Sequence, residues 1–200
     1  MRLITIQSIE AYDYLFNHKE LITDGNSPLF NRDFLDAYKW MSSKMKDRNC
    51  IAREKEIYPL WAWKSWEGKS LVADLDFYIN SENKYVLLTI ELEEDEFLLS
   101  DFDLFHYVLN YWYLPINEKD EEDFEYEYKS HGYTWDDLSN FEINDSNMIE
   151  IRKKIEDSWD RIFDIAKEDE NLYYGKLEDK SIQACFWRLS IDQVVDVKYI

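Results

Sequence analysis

Near the end of the chain the run SIQACFWRL puts one carboxamide, Gln183, into a strand-like alternation with Cys185 and Trp187. An amide there is either one polar residue on an ordinary strand or one leg of a binding site built from distant strands, and it bonds a hydroxyl without bringing negative charge. Glu91, at the end of KYVLLTIE, is a carboxylate inside a strand pattern. It suits acid–base or charge-stabilising chemistry, while the plainer reading is a solubilising glutamate on a surface strand. Trp61 and Trp63 in YPLWAWKSW share one face of an extended segment. Just ahead of them, KWMSSKMKDRNCIAREK carries six bases against two acids. Indoles beside cations suit a ligand with a flat ring and phosphates, and tryptophans are also ordinary core material.

Other chemistries find no support. The chain has no GxGxxG, no GKS or GKT and no HExxH, and its 4 glycines cannot build a phosphate cradle. His18, His106 and His131 are dispersed, which predicts structural histidines and no metal site. No serine stands in a GxSxG context, and Cys185 inside a strand reads as a buried, inert thiol. With only Cys50 beside it and no CxxC spacing, neither a disulfide framework nor zinc is signalled.

These residues need elements to hold them. RLITIQS predicts a first strand with Leu3, Thr5 and Gln7 on one face and Ile4 and Ile6 on the other. Ser8 then caps a helix whose stripe is Ala11, Tyr12, Leu15 and Phe16. A second helix starts near Asp33, with Leu35, Tyr38, Met41 and Met45 in line and bases at its C-terminal end, where the helix dipole favours them. Strands follow at YPLWAWKSW, SLVADLDFYI and KYVLLTIELEEDEFLLS. SDFDLFHYVLNYWYL predicts a helix capped by Ser100 and ended by Pro115. The acidic stretch at about 117–145 lacks a period and reads as a solvated loop or irregular excursion. MIEIRKKIEDSWDRIFDIAK is amphipathic, and IQACFWRL and VVDVKYI close the chain as strands. Helices and strands interleave without a regular βαβ rhythm, so the expected class is α+β: a single domain over 1–200, its mixed or antiparallel sheet flanked by helices.

Composition supports a folded core and constrains partners. The 200 residues are 17% aromatic, with little Gly or Pro for linkers. No apolar stretch approaches a membrane span, so a soluble, cytoplasmic protein without a membrane partner is expected. The net charge of -20 disfavours nucleic acid as a partner. From Glu91 to Glu127 there are fourteen acids and one base, which would suit a basic protein partner.

The strings LITIQS, YPLWAW, LLSDFDLFHYVLN, IQACFW and DQVVDVKYI resemble, in that order, the bacterial family known as domain of unknown function 3841. A second resemblance is to ADP-ribosyltransferase-like domains. These open with a strand leading into a helix, carry an aromatic residue on a second strand, and finish with a Glu- or Gln-bearing strand before a terminal one. That resemblance implies NAD as substrate and no metal. It places Thr5 and Gln7 on the adenosine side, Tyr58, Trp61 or Trp63 against nicotinamide, and Gln183 at the catalytic position, where Glu91 or another carboxylate would supplement the uncharged amide. The implied activity is transfer of ADP-ribose to a macromolecule, as in a toxin or defence effector. The alternative is an acidic binding protein, such as a nucleic-acid mimic, antitoxin or inhibitor, docking a basic partner.

Overall fold

The computed structural model describes residues 1–23, 32–48, 50, 58–69, 84–168 and 173–200. The expected strand SLVADLDFYI, much of the basic run after Arg48, and the turn cluster TDGNSP beyond its first residue lie outside them. The class is α+β, and the chain divides into two compact units, one of Met1–Ser100 with Glu178–Ile200, the other of Asp101–Leu177.

The first unit is built on an antiparallel sheet of six strands: β1 (Arg2–Ser8), β3 (Leu60–Ser65), β4 (Tyr85–Glu91), β5 (Phe97–Asp101), β6 (Ile182–Phe186) and β8 (Val194–Tyr199). Their spatial order is β5-β6-β3-β1-β4-β8; counted in chain order within this sheet alone, that is 4-5-2-1-3-6. Two short strands, β2 (Glu20–Ile22) and β7 (Arg188–Ser190), form a separate pair. Leu3, Ala62, Leu88, Ile90, Ala184 and Phe186 make a continuous apolar layer. Helix α1 (Ile9–His18) covers it with Leu15, while Ile9 and Tyr12 pack at the margin. Ser8 caps α1 as expected, accepting from the Ala11 N–H. Phe16, expected in the stripe, is exposed instead. Helix α2 (Leu35–Asp47) buries Met41 and Met45 and brings the Tyr38 ring to 6.0 Å from that of Trp61. Each fully buried aliphatic side chain contributes about 1.5–3 kcal/mol.

The run expected as one strand from Lys84 to Ser100 is two, β4 and β5, because the charged segment after Glu91 turns back on itself. Glu96 N–H donates to the Glu93 carbonyl, and the Glu96 carboxylate accepts from the Glu93 N–H. Beyond β3 the chain turns at Gly68, whose φ is +69°. A Cβ there would sit 1.3 Å from the Glu178 carbonyl oxygen, so only glycine lets the two backbones approach.

The second unit is helical among the described residues: α3 (Phe102–Leu109), α4 (Glu118–Ser130), α5 (Trp135–Leu138) and α6 (Ser146–Ser158), the last continued by a 3₁₀ turn over Trp159–Phe163. Three expectations change here. The cap of α3 is Asp101, accepting from the Asp103 and Leu104 N–H groups, and the Ser100 hydroxyl is engaged elsewhere. That helix ends at Leu109, six residues before Pro115, because Tyr111 takes a left-handed turn (φ 57°) and the Trp112 N–H closes back on the Tyr107 carbonyl. The acidic stretch expected as a loop is largely α4 and α5. Asn117 caps α4, acids in its first turn oppose the helix dipole, and Lys119–Asp123 and Lys129–Glu125 pair one turn apart. Only Phe124 and Tyr128 anchor its buried face, which left little period to read.

Candidate functional site

β1 and β4 pair along seven successive positions, and β3 follows β6 through five. Between β1 and β3, by contrast, the described residues pair at one position, Ile4 with Trp63. Past that point the ladder gives way to side chains. The Thr5 hydroxyl donates to the Trp61 carbonyl at 2.8 Å, and the Gln7 amide donates to the Thr5 hydroxyl at 2.8 Å. This seam, the fork of the sheet, is therefore thinly paired, with β1, β4 and β8 on one side and β3, β6 and β5 on the other.

Strand pleating sorts the expected site residues by face. Ile4, Trp63 and Gln183 lie in one cross-strand row. Thr5 lies one residue along and points to the opposite side, in line with Ala62 and Ala184. The structure thus brings Thr5 and Gln7 together with the backbone of Trp61, and brings Gln183 together with Trp63. It does not converge the two groups on one side of the sheet.

Gln183 is 3% exposed and donates from Nε2 to the Ser100 hydroxyl at 3.1 Å. Ser100 is fully buried and also hydrogen-bonds Cys185. Burial pushes the Cys185 thiol well above its ordinary range, and the Ser100 contact offsets part of that rise. The expected inert thiol is what this environment produces. Trp63 meets Trp66 edge-on at 4.8 Å, and Trp61 stands half-buried beside Tyr38. Tyr58 precedes β3 and holds a single antiparallel bridge to Thr23.

Glu91 is elsewhere. It pairs with Arg2 at 2.7 Å on the surface, and its strand is three positions from that of Gln183, roughly 14 Å at the usual strand spacing. It cannot share a reacting atom with Gln183. The histidines serve their own helices: His18 Nδ1 bonds the Tyr14 carbonyl, His106 Nδ1 the Phe102 carbonyl, and His131 stands at the C-terminus of α4. On α2, Lys39 pairs with Asp36, Lys44 lies over Trp40 and Lys46 over Trp187.

Sequence reasoning missed Ser100 as the partner of Gln183. The signal was available, since LLSDF places one hydroxyl between an apolar run and a better cap, Asp101. Among known proteins, the family model described as a domain of unknown function (DUF3841) matches residues 2–195. No curated protein and no solved structure matches the chain significantly.

Proposed function

The chain belongs to this family of unknown function, and we propose that its forked sheet is an ADP-ribosyltransferase-like platform that takes NAD as substrate and passes ADP-ribose to a macromolecule. The observation that carries the reading is the adjacency of β1, β3 and β6, the first, second and fifth strands of the sheet, with the fork lying between the first two. These are the strands on which the resemblance seats adenosine, nicotinamide and the catalytic position.

Breaking the glycosidic bond of NAD develops positive charge on the ribose. A site for it needs a group bonding the ribose, an aromatic wall and exclusion of water. In this reading Gln7, held by the buried Thr5 hydroxyl, meets the adenosine half on one face, and NAD crosses the β1–β3 seam so that Trp61 with Tyr58 forms the wall for nicotinamide. Gln183 acts as a positioning residue: it fixes the row that carries Trp63 and brings no charge to the reacting carbon. With Glu91 bound to Arg2 three strands away, the reading makes NAD binding the primary property and transfer slow.

Calorimetry with NAD tests it. The wild type should release heat, and Gln7→Ala should weaken binding about tenfold, equivalent to roughly 1.4 kcal/mol. A wild type that gives no heat sinks the proposal. Labelled NAD incubated with a cell lysate then reports whether transfer follows binding, as an effector would require.

A further inference from the structure

The second unit carries an exposed aromatic pair that its own core does not use. Trp112 and Trp135 are 41% and 48% exposed, and their ring centroids stand 6.5 Å apart. Behind them lie Tyr107, edge-on to Trp112 at 6.1 Å, and Tyr128, against Trp135 at 6.5 Å. The Trp112 carbonyl accepts from the Trp159 indole, and the left-handed turn at Tyr111 fixes the backbone from which the Trp112 ring projects. A bulky residue seldom adopts that conformation, so the turn holds Trp112 at a local conformational cost. Two adjoining indoles each left close to half exposed are an unusual expense of apolar surface.

The surroundings say what would cover them. Residues 101–177 carry twenty-one acids against eight bases, a net of −13 out of the chain's -20. Around the pair, exposed Asp136 follows Trp135 on α5, and Glu121 of α4 lies close enough to Tyr107 to raise its pKa, with burial the larger cause. A second copy of the chain is a poor occupant, because two such units would meet with like charge. Nucleic acid is repelled for the same reason. A guanidinium satisfies both features at once, stacking flat on an indole while its N–H groups reach carboxylates.

The geometry points to the Trp112–Trp135 surface as a docking site for an arginine-bearing basic segment of another protein. This stands independently of NAD, since it uses no residue of the sheet.

The test is fluorescence anisotropy of labelled nona-arginine and nona-lysine peptides with the full chain. Nona-arginine should bind several-fold tighter than nona-lysine, because both carry the same charge and only the guanidinium stacks. Trp112→Ala with Trp135→Ala should bring the two peptides to equal, weaker binding while the circular dichroism spectrum stays that of the wild type. Trp135→Ala alone, at the more exposed ring, should give part of the effect if the double variant melts early. Equal binding of the two peptides by the wild type would overturn the inference. So would unchanged nona-arginine affinity in both variants, or a wild-type dimer in sedimentation that Trp135→Ala abolishes.

Discussion

Gln183 and Ser100 meet as a buried pair on neighbouring strands, the amide 3.1 Å from a hydroxyl that is fully out of water. Removing the amide leaves that hydroxyl short of a partner in a dry place, which costs about 1–3 kcal/mol. Gln183→Ala should therefore lower the urea midpoint by a corresponding amount. Gln183→Glu is the sharper probe. A carboxylate buried here has its folded pKa raised above the unfolded value, so the variant keeps its stability at low pH and loses it as pH rises through the folded pKa. Its deficit against wild type should grow from about pH 4 to about pH 8. A deficit flat with pH would mean that position 183 reaches water.

Arg152 makes a second buried contact of a different kind. Its guanidinium donates to the carbonyls of Leu138, Asn140 and Ile143 at 3.1, 2.6 and 2.7 Å, stapling the irregular segment between α5 and α6. Phe141 lies 4.9 Å from the same group. A lysine cannot span three carbonyls from one point. Arg152→Lys should cost about 3–6 kcal/mol, judged from two lost charge-assisted bonds, and hydrogen exchange should accelerate in the second unit ahead of the sheet.

The acid limb of stability should depend on Asp145. Its carboxyl is held below the ordinary value of 3.8, first by the Tyr133 hydroxyl and then by the backbone N–H groups of the helix it caps. A depressed folded pKa gives stability that is fully present above the unfolded value and disappears as pH falls through the folded one. Asp145→Asn should melt below wild type at about pH 6, with the gap closing towards about pH 2.5. A gap that persists in acid would show that the charge at 145 is immaterial.

The thiols offer a check on the inner layer of the sheet. Cys185 is fully buried with its pKa raised, and Cys50 is buried as well. The reactive species is the thiolate. At about pH 8 Ellman's reagent should therefore find no fast thiol in the native chain and two after addition of urea. A thiol that reacts in seconds without denaturant would place one cysteine at the surface.

How much of this was legible follows from which forces leave a trace in one sequence. Alternation in RLITIQS and KYVLLTIE predicted β1 and β4, because a sheet face must be apolar at every second residue. Ser8 announced α1 through the chemistry of its own cap. By contrast, α4 hides its helical nature: two aromatic anchors and a series of one-turn ion pairs stabilise it without an apolar stripe. The site divides in the same way. The strands carrying Thr5, Trp61, Trp63 and Gln183 could be named from pattern, and they are neighbours in the sheet. Which face each residue takes depends on the register Ile4 to Trp63 to Gln183, a long-range fact that local spacing does not encode. Glu91 looked catalytic for want of a known partner, and Arg2 lies eighty-nine residues away in the chain.

The fork itself makes the last prediction, and it separates structure from ligand. Thr5 is 2% exposed, and its hydroxyl stands where a backbone bond from β1 to β3 would otherwise form, accepting from Gln7 while donating to the Trp61 carbonyl. Valine has the same shape and none of the bonding, so Thr5→Val leaves a carbonyl and an amide without their partner. That should cost about 1–3 kcal/mol in urea unfolding. Gln7→Ala removes only the outer link and should cost less, about 1 kcal/mol, because Gln7 is only partly buried and water can replace it at Thr5. If NAD lies along the fork, the order reverses in binding: Gln7→Ala loses more affinity than it loses stability, since its amide is the group left facing the ligand. Equal losses in both measurements would make the Gln7–Thr5–Trp61 chain a strut between strands and nothing more.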